Sequence, residues 1–386
     1  MSFLDAIKNQ KKQGLRKTNI ENDLSAPKLE GCMDEITPAY EFSVLDCNIE
    51  QWVHLLGPKL TFATEFVPLT PHHARLLMDA YVWSTALENE EKVQAAALAY
   101  EDSGAKLEPL NHFEDELFQT LGADIQAAMD KMGGSSFVKT SSRSAKDSAS
   151  RTGMFRHVYK SSLQRLISSK SLTKNDKMKA LCEAEMFSLR YRDASRVIRA
   201  LTLSERIWQD MKLALGHVDR WKENVVVRKW EEGLSVDMEF RTFVHNNKFT
   251  AISQYAYNLY SPRLPTHLAH IAKTLTSFFQ THLHPILSTN NFSKCVVDLA
   301  IVGDLSVPDP KVMVIEINPF WETTDGALFS WTKERDLLEG KREGFEYPVV
   351  RITERPLEGA LVMVPAGWKK VAEEVERECG VDGVFK

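Results

Sequence analysis

Lys294-Cys295-Val296-Val297-Asp298-Leu299-Ala300-Ile301-Val302, then Pro308-Asp309-Pro310, then Val312-Met313-Val314-Ile315-Glu316-Ile317-Asn318 is the stretch on which the fold turns. Two short apolar runs separated by a proline-rich turn read as paired strands. Strict alternation puts Val314, Glu316 and Asn318 on one face of the second strand and Met313, Ile315 and Ile317 on the other. Asp298 sits in the middle of an apolar strand, where an unpaired carboxylate is costly if buried, so it needs a partner. Magnesium is an economical candidate, because one or two carboxylates plus substrate phosphates commonly hold it. Asp298, Glu316 and Asn318 make up that incomplete ligand set.

Working outward, Asn224 to Trp230, Met238 to Val244 and Phe249 to Tyr255 also read as strands, the last two joined as a hairpin at Asn246-Asn247. A helix follows, with Leu268, Ile271, Leu275, Phe278 and Phe279 at helical spacing and Pro285 ending it. Glu50 to Ala99 reads as mostly helical, with Pro71 at a first helical position. Phe113 to Met132 is helical up to Gly133-Gly134. Ser136 to Thr140 is then a strand leading into a serine-rich loop, Ser141 to Ser150. If the strand stays extended that far, Lys139, Ser141 and Arg143 share a face whose donors suit phosphate oxygens. Residues 151 to 220 read as helices, with Arg196, Arg199 and Arg206 forming a solvated face over a stripe of Val197, Ile198, Leu201 and Ile207. Ala366 to Arg377 reads as a final helix. The expected organisation is a segment 1–30, a mostly helical lobe 31–134, a phosphate-strand and helical region 135–223, a second lobe 224–345 and an extension 346–386.

The 386 residues are 43% hydrophobic, enough for two or three packed domains. A net charge of -5 argues against a nucleic-acid binder, which needs an excess of basic groups. Five scattered cysteines without a C-x-x-C pair signal neither a disulfide framework nor a zinc site. No run of eighteen apolar residues suggests a membrane span. These properties lead us to expect a soluble cytoplasmic protein. His72-His73, His267 with His270, and His282 with His284 lack an acidic or thiol third ligand at a useful spacing and read as surface or cap histidines.

Five ordered blocks carry a family resemblance: Phe137 to Asp147, Val227 to Trp230, Glu239 to Val244, Ile252 to Gln254, and Ile315 to Phe320 followed by Thr324-Asp325 and Leu328 to Trp331. Over roughly residues 50 to 335, opening with Thr61 to Leu69, they resemble the cell division cycle protein 123 family. The resemblance implies an α+β ATP-grasp fold, with two lobes of largely antiparallel sheet, flanking helices, and ATP and Mg2+ as cofactors. It also implies an assembly-chaperone role with translation initiation factor 2, through its gamma subunit. By position, Lys139 would touch phosphate, Arg228, Lys229 and Trp230 would form a strand near adenine, and Asp298, Glu316 and Asn318 would bind the metal. For Arg228 and Lys229 a surface role, and for Trp230 a core role, stand beside that reading. Glu239 and Arg241 share a strand face with Phe243 and either face the nucleotide or form a structural ion pair. Where the family leads us to expect an arginine after Gln254, this chain has Tyr255. An ATP-dependent carboxylate-amine ligase acting on actin or another protein is the alternative; the absence of a distinct acceptor motif favours the binding role.

Phe3, Leu4 and Ile7 share one face of a short helix, and Leu15-Arg16-Lys17-Thr18 follows. The arrangement resembles WASP-homology-2 and thymosin-β segments, which implies monomeric actin as a second partner. A basic tail without a partner is the competing reading.

Overall fold

Val225, Val226 and Val227 are fully buried, as expected of a strand covered on both faces and flanked by partners on both edges. They belong to β4 (Asn224–Lys229), a central strand in the first of two sheets in a computed structural model that describes residues 38–87, 110–170 and 172–381. That sheet is antiparallel in the order β1-β4-β2-β3, with β1 at Thr64–Pro68, β2 at Ser136–Thr140 and β3 at Arg190–Tyr191. The helices Pro71–Leu87, Leu110–Lys131, Ala194–Thr202 and Glu205–Leu215 supply its core, where Leu77, Leu117, Ile125, Met129, Val197, Ile198, Leu201 and Ile207 meet Val138, Val225 and Val227. Arg196 and Arg199 stay outside this core, Arg199 pairing with Glu114 at 2.7 Å. Local chemistry starts the helices. Thr70 and His73 exchange backbone and side-chain hydrogen bonds, Asp193 accepts from the Arg196 amide, and Ser204 accepts from the Ile207 amide. Together these elements form one compact unit, Ala63–Val158 with Glu185–Trp230.

The second unit comprises the described parts of Met1–Phe62, Tyr159–Ala184 and Glu231–Lys386. Its sheet has the order β8-β7-β5-β6-β9, with β5 at Glu239–His245, β6 at Lys248–Gln254, β7 at Lys294–Val302, β8 at Lys311–Pro319 and β9 at Val349–Arg351. Every pairing is antiparallel except β6 with β9. Asn246 and Asn247 turn the β5–β6 hairpin with φ of 50° and 63°, values that asparagine tolerates better than most residues. Thr61 bridges to the free edge of β8 and donates its hydroxyl to the Val314 carbonyl at 2.7 Å. The helix Ala366–Glu378 is anchored through Glu376, which accepts from Tyr159 at 2.6 Å and pairs with Lys177 at 2.8 Å.

The mixed architecture, with largely antiparallel sheets and flanking helices, is the one expected. Several local expectations need correction. The stretch Glu50 to Ala99 is interrupted by β1, and the helical region 151–220 contains the two-residue strand β3. Pro285 does not end a helix. It lies in the first turn of His284–Thr289, where its missing N–H leaves no bond unmade, and a π-turn at Phe279–Leu283 joins that helix to Arg263–Phe278. The serine-rich loop carries a short 3-10 turn, Lys146–Arg151. Simple alternation also fails along β8: the register passes from Leu299 opposite Val314 to Asp298 opposite Glu316, so Ile315 is a bulge. Val314 therefore lies on the Leu299 face, and only Glu316 and Asn318 share the face of Asp298.

No helix among the described residues is long and apolar enough to cross a membrane. Phe3, Leu4, Ile7, Leu15, Arg16, Lys17 and Thr18 lie outside the described residues.

Candidate functional site

Register on the five-stranded sheet assembles a polar row. Arg351, Ser253, Arg241, Asp298 and Glu316 stand directly opposite one another on β9, β6, β5, β7 and β8, so their side chains leave the same face. One step along, the same face becomes apolar: Phe243, Ala251 and Val296 pack with Phe320, Phe329, Trp331, Leu337 and Leu338. Glu239 lies two residues before Arg241 on the polar side and is half-buried.

At the middle of the row, Arg241 and Asp298 form a buried, two-pronged ion pair, with Nε to Oδ1 at 2.9 Å and Nη2 to Oδ2 at 2.8 Å. Burial pushes the Arg241 guanidinium down, but the charge and hydrogen bonds of Asp298, with help from Tyr255 and Asp325, more than reverse this and raise it above its ordinary value. Asn318 donates its Nδ2 to Asp298 Oδ2 at 3.1 Å. The remaining Nη1 of Arg241 donates to the Asp325 carbonyl at 2.8 Å, and the guanidinium lies 4.9 Å from the Tyr255 ring centre. The partner that Asp298 requires is thus already present in the protein as Arg241.

Asp298, Glu316 and Asn318 are brought together as the sequence suggests. As a donor set they offer two carboxylates and an amide, which fits magnesium's habit of taking one or two carboxylates and completing its shell with phosphates and water. Asp298 Oδ2 accepts from both Arg241 Nη2 and Asn318 Nδ2, and Oδ1 accepts from Arg241 Nε. Among the described residues, no group of three or more histidine, cysteine, aspartate or glutamate side chains is arranged to hold a metal ion. Of the histidines weighed as ligands, His72 bonds Glu116 at 2.7 Å, His267 lies 2.9 Å from the Arg263 carbonyl and His270 3.2 Å from the Val307 carbonyl.

The other expected residues belong to the four-stranded sheet. Lys139 is buried on β2 and its ammonium donates to the Ser142 carbonyl at 2.8 Å. The strand ends at Thr140, whose amide bonds the Arg143 carbonyl at 3.0 Å, so the chain turns there and the alternation expected for Lys139, Ser141 and Arg143 is lost. Ser141 Oγ accepts from the Asn224 amide at 2.8 Å, and Arg143 turns to Asp210, with Nε at 2.9 Å and 3.0 Å from its two oxygens. Arg228 is buried on β4, Lys229 is exposed, and Trp230 is buried beside Phe187 with Arg190 5.4 Å from its ring centre. Sequence reasoning missed Asp325, Tyr255 and Arg351 as parts of the polar row's surroundings. Tyr255 leaves a signal as a departure from the family pattern and Asp325 as part of a resemblance block, whereas nothing in the sequence marks Arg351.

A model of the D123 family matches residues 184–363, a span that includes Arg228, Arg241, Asp298, Glu316 and Asn318 but not Lys139, Ser141 or Arg143. A Xenopus laevis protein named translation initiation factor eIF2 assembly protein is 33% identical over 139 residues, covering 35% of this chain and 38% of the relative, so the match spans under two-fifths of that protein's own length. A Candida albicans protein of the same name is 23% identical over 329 residues, 81% of this chain and 83% of the relative. The solved structure of Cdc123 from Schizosaccharomyces pombe superposes with a TM-score of 0.52 over 82% of this chain and 98% of that one, at 20% identity, which establishes a shared fold. The matched D123 domain thus spans the polar row, and the fold of Cdc123 is shared over most of the chain.

Proposed function

We propose that this chain binds a magnesium–ATP complex at the polar row of its five-stranded sheet and serves as an assembly factor for translation initiation factor 2, docking on its gamma subunit. The observation that carries the nucleotide part is the in-register placement of Asp298 and Glu316 on adjacent strands with Asn318 beside them. These three would hold the cation, whose charge offsets that of the phosphates when it is bound. Arg241 keeps Asp298 paired and oriented. From the family resemblance alone, Lys139 would contact phosphate and Arg228, Lys229 and Trp230 would lie near adenine. The assembly role is supported by the names of the relatives and by the family match.

Equilibrium binding of ATP with and without Mg2+ tests the first part on the full chain. Glu316→Gln is the informative variant, because Glu316 is only half-buried and its loss spares the Arg241–Asp298 pair. Magnesium-dependent affinity should fall in this variant; equal affinity would remove the ligand assignment. The second part is tested by capture of purified initiation factor 2 subunits with and without ATP. Acceptor-dependent release of ADP and phosphate would instead support a ligase. Segment 1–30 is proposed separately to bind monomeric actin, on the spacing of Phe3, Leu4 and Ile7 ahead of Leu15-Arg16-Lys17-Thr18. Equal actin affinity for the full chain and for a chain lacking that segment rules this out.

A further inference from the structure

We propose that Arg241 is a positioning residue that couples the cation site to the segment Thr324–Leu328, so that filling the site tightens that segment. This rests on the magnesium–nucleotide reading above. The guanidinium is a rigid planar fork, and here its two ends serve different parts of the molecule: Nε and Nη2 hold the carboxylate of Asp298, while Nη1 holds the carbonyl of Asp325. A cation that draws on Asp298 cannot reorient that carboxylate without turning the fork, and turning the fork moves the donor on Asp325.

The segment is built to register such a movement. The Asp325 carboxylate accepts from the Ala327 amide at 2.9 Å, the Leu328 amide donates to Ser253 Oγ at 3.1 Å, and the Leu328 carbonyl accepts from Arg351 at 2.9 Å. Trp331 Nε1 donates to the Thr324 carbonyl at 2.6 Å. Ala327 has a φ of 53°, and a Cβ on Gly326 would sit 2.3 Å from the Phe329 carbonyl oxygen, so the backbone has no slack on either side. Ser253 and Arg351 are themselves members of the row that holds Arg241 and Asp298. Two contacts from the row thus grip the segment beside the one from Arg241, and the segment responds as a unit.

The test uses the full chain, Mn2+ with ATPγS as probe, and hydrogen exchange of peptides covering residues 320–331. In the wild type, adding Mn2+ and ATPγS should slow exchange at the Ala327 and Leu328 amides. Arg241→Lys keeps the charge but loses the fork. It should weaken Mn2+ binding by about 10–100-fold, the usual loss when a ligand's supporting partner is removed, and abolish the slowing. Exchange at Val225 to Val227, in the other sheet, should stay as in the wild type and shows that the chain is folded. Ser253→Ala, whose hydroxyl bonds the Leu328 amide and the Gln254 carbonyl and is not one of the three ligands, should weaken Mn2+ binding by about fivefold or more, because coupling between two sites is reciprocal. Wild-type affinity in both variants, or a segment whose exchange ignores the ligand in the wild type, overturns the coupling and leaves the nucleotide proposal standing. A wild type that binds no Mn2+–ATPγS overturns both.

Discussion

Replacing Asp298 with leucine should cost this protein a large part of the stability of its five-stranded sheet, and replacing Arg241 as well should restore much of it. The side chains of Arg241 and Asp298 are 8% and 4% exposed, so neither charge has water to fall back on once its partner is removed. With Asp298 gone, the guanidinium keeps only the Asp325 carbonyl and the Tyr255 ring among the contacts described above. Stranding one member of such a buried pair costs about 3–5 kcal/mol, whereas exchanging both members for apolar groups of similar volume is often near neutral. Against a total stability of roughly 5–15 kcal/mol the single loss is severe. The cycle compares Asp298→Leu, Arg241→Met and the double variant. Native-state hydrogen exchange at the amides of Phe240 to Phe243 is the assay, because it reads this sheet alone and does not depend on the whole chain unfolding in one step. We expect the double variant to be more stable than the sum of the singles by about 2 kcal/mol or more, in the range measured for residues sharing one network. Strict additivity, or a single-variant cost below about 1 kcal/mol, would refute the claim that the two charges depend on each other.

Asp237 is held at about 2: burial alone would raise its carboxyl, but hydrogen bonds from Arg263, Ser235 and Ser261 and the charge of Arg263 outweigh that. Because its folded value lies below the ordinary 3.8, the stabilisation is present above about pH 4 and is lost as the pH falls toward 2. Asp237→Asn should remove about 1–2 kcal/mol at pH 7, reduced by the exposure of Arg263, and flatten the acid limb of a pH–stability curve; an unchanged limb contradicts it. Gly326→Ala should cost about 1–3 kcal/mol through the clash with the Phe329 carbonyl, visible as a lower melting temperature, and wild-type stability would mean that the turn has room. Tyr159→Phe withdraws a donor from buried Glu376 while leaving Lys177 in place, so about 1–3 kcal/mol should be lost and the helix Ala366–Glu378 should become easier to cleave with protease; resistance equal to wild type would show the contact to be dispensable.

Elements whose cause is local were legible in the chain. Asn246-Asn247 announces a tight hairpin because those residues tolerate positive φ, and Pro71 and Gly133-Gly134 mark helix boundaries because of what proline and glycine do to the backbone. The elements missed are those created by distant partners. Thr64–Pro68 is only five residues long and becomes a strand because it pairs with Asn224–Lys229, far along the chain; Arg190–Tyr191 is a strand only through Ser136 and Phe137. The bulge at Ile315 had no composition signal either, being a property of the β7–β8 register.

The candidate site shows the same division between cost and pairing. An aspartate among valines and leucines states a cost, and the sequence made that cost visible at Asp298, but a cost does not say which cation meets it. Arg241 is separated from Asp298 by 57 positions and becomes its neighbour only through the β5–β7 register, which no periodicity within either strand reveals. The consequence reaches the proposed chemistry. With Arg241 offsetting Asp298, the proposed ligand set carries less net negative charge than its two carboxylates alone would give, so a divalent ion would draw much of its attraction from the nucleotide's phosphates. On the proposed reading, magnesium therefore enters with ATP and not ahead of it, and the protein's own carboxylates serve to place the ion more than to capture it.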